Sequence, residues 1–119
     1  MKEGERWDAE LDERASPAPL LQSWGWGEVQ SRAGWSIERV RLPSDAMASV
    51  QVRSVALARE AYVPRGPVPA TPEAVDALVD WARGVEMARI VARLNATAPG
   101  VVALAIEAMR SGGPVRTQP

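Results

Sequence analysis

The chain has no cysteine, no histidine and no phenylalanine among its 119 residues. Without cysteine there is no disulfide scaffold, thiolate zinc site or thiol nucleophile. Without histidine, Ser-His-Asp triads and imidazole metal sites are excluded as well. Lysine is nearly missing, since Lys2 is the only one among 14 basic residues. Charge of one sign does not prevail: the formal net charge is -1. That argues against a basic nucleic-acid sleeve and equally against an acidic DNA mimic. Long apolar runs are wanting too. No uncharged stretch, Leu94 to Ile106 included, reaches the roughly 20 residues of a bilayer span. The glycines at 25, 27, 34 and 66 match neither a phosphate loop nor a dinucleotide fingerprint.

What remains is an ordinary soluble composition, 46% hydrophobic and 24% charged, of a size for one domain. The charged start, MKEGERWDAELDER, is unlike an export signal, so a cytoplasmic protein is expected. Arg over Lys, with heavy use of Ala, Val, Gly and Pro, suggests a GC-rich bacterial genome or a phage of one.

Residues 1–16 form an acidic arm, expected as a frayed helix anchored by Trp7 and Leu11 four apart. A single globular domain is expected over 17–112, and a disordered tail over 113–119. Within the domain, Trp24-Gly25-Trp26-Gly27 and the alternation of Trp35, Ile37, Val40 and Leu42 predict an extended or hairpin segment near 24–42. Met47, Val50, Ser54, Leu57 and Ala61, spaced three and four apart, predict a helix over 45–62. The β-branched Val50, Val52 and Val55 support a strand there instead, and the alanines favour the helix. Thr71-Pro72-Glu73 caps and opens a further helix. Its apolar face changes side at Gly84, which predicts two helices broken there, or one buried on different sides. The run from Val101 to Met109 is apolar nearly all round, as in a central buried helix, and Gly112-Gly113-Pro114 stops it. The fold expected is therefore mainly α, with four to five helices.

Chemistry has few carriers. Asp76 and Asp80 lie one turn apart beside Glu73 and Arg83. They suit acid–base work or a hard cation, and equally a solvated helix face laced with ion pairs. No cofactor or metal site is implied. Aromatics are almost all indole: five Trp and one Tyr. Trp24, Trp26 and Trp35 cluster with Arg32, Arg39 and Arg41, and Trp and Arg dominate binding hot spots. The same indoles also suit a core. Arg beside Trp also suits phosphate and base stacking. From Arg32 to Arg65 six arginines face three acids, a local net of 6 − 3 = +3. The order also fits a ribbon-helix-helix dimer with Glu38 to Pro43 as ribbon, against which the loop at 63–71 is long and the basic ribbon short.

Two blocks resemble the phage late-gene antiterminator family. The first is Leu21-Gln22-Ser23-Trp24-Gly25-Trp26, then Arg32-Ala33-Gly34-Trp35 and Pro43-Ser44. The second is Ala88-Arg89-Ile90-Val91-Ala92-Arg93-Leu94, then Pro99 and Val101 to Ala105. About 25 extra residues separate them, and the family's helix-turn-helix-like end has no counterpart here. The resemblance implies a non-enzymatic, phage-encoded regulator that binds RNA polymerase, with nucleic acid as a further partner. An inhibitor of a host defence complex, of the anti-CRISPR type, is the second reading, and a carboxylate enzyme the third. The six Trp and Arg residues above are the expected binding site.

Overall fold

The acidic arm folds into a helix, α1 (Glu3–Arg14), that docks instead of fraying. Trp7 and Leu11 are each only 1% exposed, and the Trp7 indole N–H donates to the Gln22 carbonyl at 2.9 Å. Two anchors suffice because they meet Met47 and Val68 in a small closed cluster. A single 3₁₀ turn, Leu20–Gln22, leads into α2 (Trp24–Arg32). Ser23 caps α2 by accepting from the Trp26 backbone N–H at 3.2 Å.

The computed structural model describes residues 2–87, 89–93, 103–107 and 115–118. The strands are β1 (Ser36–Leu42), β2 (Ala46–Val55), β3 (Ala58–Pro64), β4 (Arg89–Arg93), β5 (Ala103–Glu107) and β6 (Val115–Gln118). They form one six-stranded sheet in the order β1-β2-β3-β4-β5-β6. Pairing is antiparallel except between β3 and β4, which run parallel. A parallel pair needs a crossover connection, and α3 (Pro72–Gly84) supplies it.

The sheet lies between two helical layers. On one face Ala48, Val50, Val52, Ala61, Val63 and Ile90 pack with Ala74, Leu78, Val79 and Ala82 of α3. The other face carries Ile37, Arg39 and Arg41 of β1 and Met47, Ser49 and Gln51 of β2. It is covered by α1 and α2. Gly27 is needed there, since a Cβ on it would come within 2.7 Å of the Arg39 guanidinium and 3.3 Å of Ile37.

One buried polar side chain completes that second face. Register places Ser49 opposite Pro64, two residues beyond the last antiparallel pair at that end, Gln51 with Tyr62. Proline has no N–H to offer. The Gln22 amide fills the gap, accepting from the Ser49 N–H at 2.7 Å and donating to the carbonyls of Pro64 at 2.6 Å and Ser49 at 3.2 Å. Gln22 is fully buried.

The molecule is thus α+β, with three α-helices among the described residues, and not mainly α with four to five. The expected helix over 45–62 is the β2–β3 hairpin. Its 3-4-3-4 spacing coincides with a strand buried on both faces from Ala46 to Val52, which leaves no alternation to read. The 24–42 segment is half helix and half strand, because the Ser23 cap and the close approaches at Gly27 stabilise α2 despite two glycines. The helix opened by Thr71 is present, with the Thr71 Oγ1 accepting from the Ala74 N–H at 3.1 Å, and it ends at Gly84. Beyond that break the chain forms β4, not a second helix. The described part of the expected buried helix, Ala103–Glu107, is β5; its remainder lies outside the described residues. Val115–Gln118, expected in a disordered tail, is β6.

The β2–β3 loop is Ala56-Leu57, between paired Val55 and Ala58. Both residues have positive φ, 49° and 69°, as the primed hairpin turns require. Left-handed backbone costs a non-glycine residue roughly 1–2 kcal/mol, so this turn is strained.

Candidate functional site

The six predicted residues do not form one surface: Trp35 stands at the Ser36–Val52 end of the β1–β2 ladder and Arg41 at its other end, opposite Met47. Arg39 rises from β1 toward α2. Its guanidinium lies 3.5 Å over the Trp24 ring and donates to the Trp24 carbonyl and to Glu28 Oε1, each at 3.1 Å. The side chain is 16% exposed. Trp24 in turn packs on Gly4, where a Cβ would meet the indole at 2.9 Å, and its backbone N–H donates to Asp8 Oδ1 at 2.9 Å. Trp24 and Arg39 therefore join α1, α2 and β1, and face inward.

Arg41 is also engaged. Its Nη2 meets Glu10 Oε2 at 2.6 Å, with the guanidinium 5.4 Å from the centre of the Trp7 ring. The hydrogen bond from Arg41 holds the Glu10 carboxyl below the usual glutamate range, and the charges of Arg41, Arg14 and Arg6 add to it against a partial desolvation. The same bond pushes the Arg41 guanidinium upward. Glu3 and Arg6 join this pair around an open cavity of about 510 Å³. Two acids and two bases balance there, so the cleft offers no net charge to an anion.

Trp26 is half-buried, and its indole N–H is enclosed without a hydrogen-bond partner. Arg32 is exposed on the last turn of α2. Trp35 is half-buried just ahead of β1, with the Arg53 guanidinium 5.2 Å from its ring centre. Arg53 is 58% exposed and reaches Glu60 at 3.5 Å. By register Trp35 stands next in line to Ser36, the partner of Val52, so the Trp35–Arg53 stack sits at the base of the β2–β3 hairpin. At its apex Leu57 is 104% exposed. Arg32, Trp35, Arg53 and Leu57 thus share one end of the sheet. Sequence reasoning does not single out Arg53 or Leu57 for binding. Arg53 is one of six arginines between 32 and 65, and Leu57 carries no turn signal because its turn has no Gly, Asn or Pro.

Asp76 and Asp80 are exposed on the outer side of α3. Among the described residues no three His, Cys, Asp or Glu groups gather as metal ligands, and no helix is long and apolar enough to cross a membrane. Set against known protein families and curated proteins, the chain matches none.

Proposed function

We propose that this chain is a non-enzymatic regulator that acts by docking on a larger bacterial protein complex, through the sheet end bearing Arg32, Trp35 and Arg53. The observation that carries the reading is the Trp35–Arg53 stack, a large aromatic and an arginine left partly open to solvent. Such pairs anchor protein interfaces. Arg39 and Arg41, which sequence alone offered to phosphates, are bound to Glu28 and Glu10. That favours a protein partner over nucleic acid. The two blocks resembling antiterminators put RNA polymerase first among the complexes to assay, and a host defence complex second.

The test is capture from bacterial lysate on the immobilised chain, with thermal melts run beside it. Trp35→Ala is expected to cost about 2 kcal/mol or more of binding, and Arg32→Glu and Arg53→Glu to weaken capture while the melt is unchanged. Capture indifferent to all three changes, or duplex DNA bound with a steep salt dependence, would overturn the reading.

A further inference from the structure

The β2–β3 hairpin outruns both neighbours in the sheet. Pairing with β1 stops at Val52, and pairing with β4 begins at Glu60. Residues 53 to 58 therefore extend past the paired ends of β1 and β4 as a two-stranded ribbon, and Arg59 at its root donates to the Val85 carbonyl at 3.1 Å. Its apex is the strained Ala56-Leu57 turn. Asn-Gly would suit both positions, yet the chain places a leucine where the backbone favours glycine and where the side chain touches nothing of its own fold. A residue that strains its backbone and buries no surface is explained by something outside the molecule. Arg53 and Arg59 flank the tip, with Glu60 the single acid from 53 to 60, a local net of 2 − 1 = +1. Leu20 and Val29 are also exposed, at 71% and 51%, but neither has a positive φ.

We propose that the tip is an insertion finger, with Leu57 entering an apolar, acid-rimmed pocket on the partner protein. This rests on the docking function above and names a second contact on the same end of the sheet. A protein pocket is favoured over a lipid surface, because one leucine adds little membrane affinity where stable anchoring takes two signals.

Two single changes separate strain from contact. Leu57→Gly and Ala56→Asn should each raise the melting temperature by roughly a few degrees, since each relaxes a left-handed position. Only Leu57→Gly should weaken binding, by about tenfold or more, measured on the complex eluted from the wild-type chain. Leu57→Gly binding like wild type while Trp35→Ala does not would remove the finger and leave the docking function standing. If none of Leu57→Gly, Trp35→Ala, Arg32→Glu and Arg53→Glu weakens binding, or if wild type captures nothing, both proposals fall. A Leu57→Gly variant that melts lower than wild type would overturn the strained-tip assignment. Vesicles of phosphatidylcholine and phosphatidylglycerol at 7:3 are the lipid probe. Binding to them that depends on Leu57 would mean a membrane finger and overturn the protein pocket.

Discussion

The Gln22 amide sits between Ser49 and Pro64, where the β2–β3 ladder would otherwise lose a step. It satisfies one donor and two acceptors at once. Gly66 must approach closely for this, since a Cβ there would come within 2.7 Å of Gln22 Oε1. Gln22→Ala leaves the Ser49 N–H and the Pro64 carbonyl without that partner in the interior. Buried unsatisfied groups cost about 1–3 kcal/mol each, so a loss of about 3 kcal/mol in urea unfolding is expected. A loss below about 1 kcal/mol would mean that water or backbone pairing replaces the amide. Nothing in the sequence marks Gln22 for this role. A polar residue after Leu20-Leu21 reads as loop, and its importance comes from residues 27 and 42 positions away.

At the scale of elements, α1 is held by charge as well as by Trp7 and Leu11. Arg14 reaches Asp45 at 2.6 Å, and Glu10 reaches Arg41. Folding lowers the Glu10 pKa, so its contribution is present above the usual glutamate value, about 4.3. It is lost as pH falls through the lower folded value. Acid melts below about pH 5 should therefore show a shallower dependence in Glu10→Gln than in wild type; identical slopes would mean that the pair does not stabilise α1. Elements were legible where punctuation was present. Thr71-Pro72 and Gly84 bracket α3, and its apolar face holds over three turns. They were illegible where tertiary contact decides. β2 is buried on both faces, so it mimics a helix spacing. Its turn has no glycine, so the hairpin looks continuous. The partners of Arg39 and Arg41 lie 11 and 31 residues away, beyond any local pattern, which is why both looked available for binding. Trp35 and Arg32 stand out in the sequence on the same ground as Arg39 and Arg41, the coincidence of large aromatics with excess arginine in one stretch, and composition does not say which of them pair inside the fold.

At the scale of the molecule, the two helical layers are attached differently. α3 closes the larger apolar cluster, whereas α1 and α2 cover a smaller apolar cluster ringed by ion pairs and indole–guanidinium stacks. That asymmetry biases the chain's own light emission. Trp7, Trp24, Trp26 and Trp35 lie on the α1–α2 side and Trp81 alone on the α3 side, so intrinsic fluorescence is a one-sided gauge. In about 1 M salt the Debye length is about 3 Å, and the exposed pairs weaken. Emission should then shift at a lower denaturant concentration than far-ultraviolet ellipticity; superimposed curves would mean that the layers separate together. A stability value taken from fluorescence alone therefore describes the departure of one layer, and the ellipticity trace describes the sheet and α3 that remain.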